Sequence, residues 1–246
     1  MCIRDSNVHH IEARCEEHFN KTYGIVHPRE QWDSRRDVTT GPVKARTDAL
    51  GAFYFEAGGW ERPHWYETNR DLVESYGIQE REHEWDGRWW SPISDAAHLH
   101  LRDHAGIVDL SAFQIFEISG PGSLEYIDHM VVNKCDVKVG GSIYTPVLNP
   151  SGGFRSDLTI LRLGLEHFRI ITGAFDGGRD EYWFRHNMPG DGTVQFENRT
   201  NAMCTLGVWG PNTADLLSTI TESHFDQAAF PYGSCQEVLL AGIPTE

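Results

Sequence analysis

The sequence predicts a mixed α+β protein, and three observations support this fold class. From about residue 106 the chain carries short runs of alternating apolar and β-branched residues, which are typical of strands. Segments in which apolar residues recur with helical spacing lie before and between these runs. There is neither a GxGxxG pattern after a strand nor a GxxxxGK(S/T) pattern, so no dinucleotide-binding or P-loop unit is predicted within these residues.

The part of the chain before residue 106 is predicted to consist of short elements. Ile11, Cys15 and Phe19 recur at every fourth position and predict a helix over residues 8–23. The other expectations here are an irregular polar segment at 31–47, a short helix at 47–52, a strand at 52–55, a Gly/Pro/Trp loop at 57–65, a charged linker at 72–88 and a helix at 96–105. Gly106 marks the end of that last helix.

Strands predominate after residue 106. They are predicted at 107–110, 115–118, 142–148, 158–163, 167–172 and 237–241. Helices are predicted at 120–130 and 178–187, and residues 207–220 read as a strand, a Gly-Pro break and a helix.

The composition excludes several classes of function. The 246 residues suffice for one large domain or two smaller ones, and the 39% apolar and 23% charged residues are typical of a globular protein. The formal net charge of −15 repels nucleic-acid phosphates and anionic lipid headgroups, so we expect no nucleic-acid partner. No apolar run reaches the roughly 18 residues of a membrane span, so no membrane partner is expected either. Residues 1–6 lack a secretory apolar region and are interpreted as a non-native cloning scar.

Metal and thiol chemistry receive little support from the residue pattern. His100 and His104 lie four positions apart on a predicted helix, which is workable ligand spacing, but no HExxH pattern or further ligand accompanies them. A polar helix face is the favoured reading, and no metal site is predicted. The five cysteines contain no CxxC pair, which is typical of a reducing compartment. Cys135 and Cys204 are interpreted as buried, inert thiols because nothing indicates an activating histidine.

The segment YTPVLNPSGGFRSD, residues 144–157, is the most informative candidate site. Its two glycines form a turn and allow a ligand to approach the main chain closely. Asp157 follows at the mouth of the apolar strand 158–163, beside the strand that carries Tyr144. A carboxylate in this position could hold a cation or act in catalysis. The alternative, which the residues alone favour, is a hairpin whose aspartate is satisfied by turn amides.

Four segments carry a resemblance to a known family: GIVDLSAFQIFEISGPGSLEYID (106–128), VGGSIYTPVLNPSGGFRSDLTILRL (139–163), FRIITG (168–173) and LGVWGPNTADLL (206–217). They resemble the N-terminal part of the glycine-cleavage T-protein (aminomethyltransferase, GcvT-like) folate-binding family. Upstream, YGIVHPREQW (23–32) and AGGWERPHWY (57–66) resemble the connecting domain of FAD-dependent sarcosine and dimethylglycine dehydrogenases. Connector followed by folate domain is a more specific pattern than either part alone.

The resemblance implies an α+β chain with part of an FAD-oxidoreductase connecting domain and linker at residues 7–88. The truncated N-terminal part of a GcvT-like folate-binding domain would follow at 89–246, incomplete at its C-terminal end. The cofactors implied are tetrahydrofolate in this portion and FAD in a missing N-terminal domain of the same chain. On this reading the isolated chain neither oxidises amines nor binds folate tightly.

The resemblance also implies a reaction. In the family, the flavin part oxidises a small N-methyl amine to an iminium, and tetrahydrofolate captures the one-carbon unit. Asp157 corresponds to the catalytic aspartate and Tyr144 to a residue on the preceding strand, while Thr172 and Gly173 lie where relatives contact the pteridine. A carboxylate in a low-dielectric channel would stabilise the iminium and take up the released proton. Ser156 stands where typical T-proteins have the first of two aspartates, which resembles the dehydrogenase branch.

Two functional hypotheses follow from the resemblance. The first is the folate side of a sarcosine or dimethylglycine dehydrogenase-like demethylase, located in the bacterial cytoplasm or, in a eukaryote, in the mitochondrial matrix. Its partners would be the small N-methyl amine and the missing flavin domain, and its electron acceptor is left open. The alternative is a non-catalytic GcvT-like folate-binding or regulatory module.

Overall fold

A computed structural model describes residues 8–246, which form two compact units. The first unit contains the described residues up to Asp109 together with Leu206–Pro211, and the second contains Leu110–Thr205 and Asn212–Glu246. Helices and strands are present in both units, so the mixed α+β class is confirmed. The predicted scar at 1–6 lies outside the described residues, and the predicted domain boundary after residue 88 remains a prediction.

The first unit consists of short helices around a small sheet. Its elements are α1 (Val8–Thr22), β1 (Thr39–Thr40), α2 (Lys44–Ala49), β2 (Ala52–Ala57), β3 (Trp60–Tyr66), α3 (Asp71–Ser75), α4 (Glu84–Gly87), α5 (Pro92–Asp103) and β4 (Gly106–Asp109). The sheet has the order β1-β3-β2, and β4 pairs separately and antiparallel with β10 (Leu206–Trp209). Ser91 caps the N-terminus of α5, because its hydroxyl accepts the amide of Ile93, and Pro92 occupies the first position of the helix.

More than one expectation for this unit is wrong. The segment 31–47, predicted as irregular, contains β1 and the start of α2. The Gly/Pro/Trp segment 57–65, predicted as a loop, is a hairpin turn followed by strand β3. Gly58 and Gly59 have φ of 63° and 87°, the backbone that a two-residue hairpin turn requires. Cross-strand aromatic packing then stabilises the extended chain, since the rings of Phe53 and Trp65 stack at 4.1 Å. The charged segment 72–88 likewise contains the two short helices α3 and α4.

The second unit is built on a five-stranded antiparallel sheet. Its elements are β5 (Gln114–Ser119), α6 (Ser123–Met130), β6 (Ser142–Leu148), β7 (Phe154–Gly164), β8 (His167–Thr172), α7 (Gly177–His186), β9 (Gln195–Asn198), α8 (Thr213–Ser218), β11 (Val238–Leu240) and β12 (Ile243–Thr245). The sheet order is β6-β7-β8-β5-β9, and β11 pairs with β12. Strands β6 and β8 have the predicted bounds, whereas β9 and β12 were not predicted.

The core of the second unit lies on one face of this sheet. Phe116, Ile160 and Ile170 from the strands belong to one buried cluster with Ile127 of α6 and Phe184 of α7, and each of these five is 0% exposed. Period-two alternation places the intervening residues of each strand on the opposite face of the sheet. That outer face carries the polar side chains described below.

Helix α7 is fixed to α6 by one buried hydrogen bond. The hydroxyl of Tyr126 donates to the carbonyl oxygen of Phe184 at 2.5 Å. Phe184 lies in the last turn of α7, where carbonyl groups have no partner within the helix. Burial of Tyr126 also raises the pKa of its phenol. The bond therefore caps α7 and sets its position over the sheet.

None of the helices within residues 8–246 combines the length and the apolar character that crossing a bilayer demands.

Candidate functional site

The glycine turn between β6 and β7 is organised by a single side chain. Oδ1 of Asn149 accepts the amides of Ser151 and Gly153 at 3.0 and 2.9 Å. Gly152 has φ of 79°, and a Cβ on Gly153 would lie 2.8 Å from Nδ2 of Asn149. One glycine is thus needed for its backbone conformation and the other for space. The turn closes earlier than expected, so Asp157 lies inside β7 rather than before it.

Tyr144 and Asp157 contact each other on the outer face of the sheet. In the β6–β7 ladder Tyr144 is opposite Thr159 and Asp157 is opposite Pro146, which makes the two residues diagonal neighbours on the outer face. The phenol of Tyr144 donates a short hydrogen bond to Oδ2 of Asp157. This bond to the carboxylate raises the pKa of Tyr144, because ionising the phenol would place two negative charges side by side.

The pair lies at the surface of the second unit. Tyr144 is 64% exposed, and Asp157 is also exposed. A carboxylate in contact with water stabilises a cation at 4 Å by only about 1 kcal/mol, against about 4 kcal/mol at an effective dielectric constant of 20. The described residues therefore do not by themselves provide the low-dielectric channel that the sequence analysis expects around Asp157.

Thr172 is the last residue of β8, and Gly173 follows it. Thr172 is opposite Leu158 in the last pair of the β7–β8 ladder, so Gly173 and Asp157 are the residues that follow this pair on the two strands. A Cβ on Gly173 would meet nothing within 4 Å, which leaves open space beside the carboxylate. The side chain of Thr172, in contrast, is 2% exposed and belongs to the core face. Any contact of Thr172 with a ligand on the outer face would therefore come from its backbone.

Two buried polar residues behind the site were missed as functional candidates. Asp180 of α7 is 1% exposed, and the hydroxyl of Thr172 donates to its Oδ2 at 2.6 Å. Ser156, noted in the sequence only as a mark of subfamily, is 2% exposed beside them. Desolvation raises the pKa of Asp180, against the opposing effect of the hydrogen bond from Thr172 and of the nearby Ser156 hydroxyl. The available signal was the position of Asp180 four residues before Phe184, which places an acidic residue on the apolar face of a helix.

A charged cluster covers the middle of the outer face. Nη2 of Arg169 lies 2.7 Å from Oε1 of Glu117, and Nε2 of His167 lies 2.9 Å from Oε2 of the same residue. Glu246 also pairs with Arg169, which is only 7% exposed. Burial alone would raise the pKa of Glu117, but Arg169 and His167 outweigh it and lower the pKa. The charges of this cluster are paired with one another, so we assign it a structural role in the sheet.

The two cysteines that were predicted to be buried differ in their exposure. Cys135 is 0% exposed, and burial raises its pKa to about 12, so its thiol is inert at neutral pH. Cys204 is exposed, so the expectation that it is buried is wrong. His100 and His104 lie with ring centroids 4.5 Å apart. Within residues 8–246, no group of three or more histidine, cysteine or acidic side chains could hold a metal ion.

A separate cavity of about 210 Å³ lies in the first unit, between α1 and the segment after it. Its lining includes His18, Lys21 and Trp32, with Nζ of Lys21 5.5 Å from the centroid of the Trp32 ring. Its lining includes none of the predicted site residues, but part of it comes from the segment 23–32 that resembles the connecting domain.

The fold, with Tyr144 and Asp157 beside the glycine turn between β6 and β7, is that of the α+β domains of T-protein type. A crystal structure of the glycine cleavage system aminomethyltransferase T from Bartonella henselae has the same fold, with a TM-score of 0.58 at 23% identity over 74% of this chain and 43% of that one. The family model described as the GCVT N-terminal domain matches residues 43–246. The chain belongs to this family, and the resemblance seen in the sequence is confirmed. The model described as the FAD dependent oxidoreductase central domain matches residues 5–40.

Curated relatives match nearly the whole chain. The 4-methylaminobutanoate oxidase (formaldehyde-forming) of Paenarthrobacter nicotinovorans is 30% identical, covering 92% of this chain and 27% of that protein. The mitochondrial dimethylglycine dehydrogenase of Homo sapiens is 25% identical, covering 96% and 26%. The mitochondrial pyruvate dehydrogenase phosphatase regulatory subunit of Mus musculus is 27% identical, covering 88% and 24%. The chain spans about a quarter of the length of these relatives.

Proposed function

We propose that this chain is the folate-binding, aminomethyltransferase-like portion of an FAD-dependent enzyme that demethylates a small N-methyl amine such as sarcosine or dimethylglycine. The observation that carries the proposal is the Tyr144–Asp157 pair beside the open position at Gly173, all in a domain of the GCVT family. Relatives named for oxidation of 4-methylaminobutanoate and dimethylglycine support the class of substrate. FAD would belong to a part of the protein outside these residues.

The residues present fit a flat heterocycle such as the pterin of tetrahydrofolate. Gly173 leaves space beside the sheet, the exposed ring of Tyr144 offers a surface for stacking, and Asp157 offers acceptor oxygens to ring N–H groups. Tetrahydrofolate, when bound, supplies the nitrogen that accepts the one-carbon unit. Bound ligand and further protein would also exclude water from the carboxylate, which the described residues leave exposed.

The chemical role we assign to Asp157 follows from its charge. Its carboxylate stabilises the positive charge of an iminium donor and takes up the proton that is lost as the new carbon–nitrogen bond forms. Tyr144 holds the carboxylate in one orientation through its hydroxyl. By this proposal the enzyme acts in the cytoplasm of a bacterium or in the mitochondrial matrix of a eukaryote, where the dimethylglycine dehydrogenase relative is located by name.

The proposal is tested by titrating the chain with 5-formyltetrahydrofolate and following its tryptophan fluorescence. We expect weak binding that Asp157→Asn reduces about tenfold, since a charge-assisted hydrogen bond contributes about 1.5–3 kcal/mol. Asp191→Asn, which neutralises an exposed carboxylate elsewhere in the same unit, is the matched control and should leave the affinity unchanged. Equal affinity of the Asp157 and Asp191 variants would remove the assigned role. Turnover of sarcosine by this chain with bound flavin would contradict the assignment of FAD to another part of the protein.

A regulatory module is the second candidate. It is favoured by the relative named as a phosphatase regulatory subunit and by the exposure of Asp157, which leaves the carboxylate without a catalytic enclosure. A folded chain that binds no folate derivative at millimolar concentration would favour this candidate over the demethylase.

A further inference from the structure

The strand ends that carry the proposed site are paired through the backbone on one side only, because the β7–β8 ladder stops before Asp157. Pro146, opposite Asp157, has no N–H to donate, and its carbonyl accepts the amide of Val132 at 3.2 Å. On the other side, the β7–β8 ladder ends at Leu158 and Thr172, one residue short of Asp157. In the β6–β7 ladder a register shift follows after one further pair, between Val147 and Leu148. Asp157 therefore lies one residue beyond the β7–β8 ladder, while on its other side the β6–β7 ladder continues for one more pair before the shift.

A buried polar contact compensates for this on the core face. Because side chains alternate along a strand, Ser156 points to the core while Asp157 points outward. On the core face Asp180 lies beside the ends of both strands. The hydroxyl of Thr172 at the end of β8 donates to Asp180 at 2.6 Å, and Ser156 of β7 lies close enough to lower the pKa of Asp180. The Ser156 hydroxyl itself has no hydrogen bond of good geometry. The one firm bond thus joins α7 to the residue immediately before Gly173.

An acidic residue is a costly choice for this position unless its oxygens are used. A carboxylate at 1% exposure loses most of its hydration, and its nearest cation, Nε of Arg179, is 3.8 Å away on a side chain that is 46% exposed. Arg179 also pairs with Asp176 at 2.8 Å, so its charge is shared. An apolar side chain would pack here at lower cost, but it would release the hydroxyl of Thr172.

We propose that Asp180 is a positioning residue for the folate site: through Thr172 it fixes the ends of β7 and β8 so that Asp157 and Gly173 face the same ligand. The proposal rests on the proposed function, because Asp180 itself lies on the core face and touches no ligand. The requirement is for a hydrogen-bond acceptor and not for a negative charge.

Two matched pairs of variants test this in the same 5-formyltetrahydrofolate titration. Asp180→Asn keeps an acceptor and Asp180→Leu removes it, while Thr172→Ser keeps the hydroxyl and Thr172→Val removes it at constant shape. The Leu and Val variants should bind at least about tenfold more weakly, and the Asn and Ser variants within about threefold of the wild type. Hydrogen exchange should accelerate at the amides of Asp157 and Gly173 in Asp180→Leu and Thr172→Val only. Asp176→Asn, on the exposed side of the same helix end, is the charge control.

The outcomes separate the two levels of the proposal. Wild-type binding with unchanged affinity in Asp180→Leu and Thr172→Val, whatever their melting temperatures, would overturn the positioning role and leave the proposed function standing. Should Asp180→Leu fail to fold, Thr172→Val alone decides, because Val replaces Thr at nearly equal volume. A wild-type chain that binds no folate overturns the proposed function, and the positioning role with it, even if the exchange rates change as expected.

Discussion

Removing the hydroxyl of Tyr126 should destabilise the second unit by an amount that the structure allows us to work out. In Tyr126→Phe the ring, which is 5% exposed, keeps its packing, and only the bond to the Phe184 carbonyl is lost. The neighbouring carbonyls of Trp183 and Arg185 accept the amide of Asn187, so they keep a partner. The Phe184 carbonyl is left buried without its hydroxyl donor. A net hydrogen bond is worth about 1 kcal/mol and an orphaned buried acceptor costs about 1–3 kcal/mol, so we expect a loss of about 2 kcal/mol.

This loss is measurable by calorimetry and by hydrogen exchange. For a unit of this size it corresponds to a fall of roughly 4–8 °C in the melting temperature of the second unit. Exchange should accelerate first at the amides of α7. Tyr182→Phe is the control, since Tyr182 lies on the same helix and is 63% exposed. If the two variants unfold within roughly 0.3 kcal/mol of each other, the hydroxyl does not cap α7 and the reasoning fails.

Two further predictions concern titration and reactivity. Burial would raise the pKa of Glu17, but hydrogen bonds from Lys21, Ser34 and the Asp33 amide prevail and lower it to about 2. A depressed carboxyl pKa contributes stability that is fully present above the unfolded value of 4.5 and is lost as pH falls through about 2. Glu17→Gln should therefore lower the melting temperature of the first unit much more at pH 7 than at pH 2. A difference that is equal at both pH values would contradict this. Iodoacetamide at pH 8 should modify exposed Cys204 rapidly and leave Cys135, with its pKa of about 12, unmodified until the chain unfolds. Peptide mass spectrometry reads both sites, and equal labelling would refute the burial argument.

Local signals in the sequence were sufficient for most of the second unit. Strands β6 and β8 have the predicted bounds because their apolar residues alternate with period two and face a single core. The failure at residues 57–65 has a physical cause: Gly, Pro and Trp were read as loop residues, whereas paired glycines at positive φ form a hairpin turn and cross-strand rings stabilise the strand. Strand β9 was missed because its four residues pair only with β5, a contact distant in sequence.

The sequence by itself determined the family, the α+β class and the turn that brings Tyr144 towards Asp157, because these depend on local patterns and on short-range pairing. Only the tertiary structure decided that Asp157 is exposed, that the side chain of Thr172 faces the core, and that Asp180 stands behind both strand ends. Burial and hydrogen-bond partners depend on how a helix packs on a sheet. The periodicity of a sequence shows that an aspartate lies on the apolar face of a helix, but not whether a threonine or water is its hydrogen-bond partner.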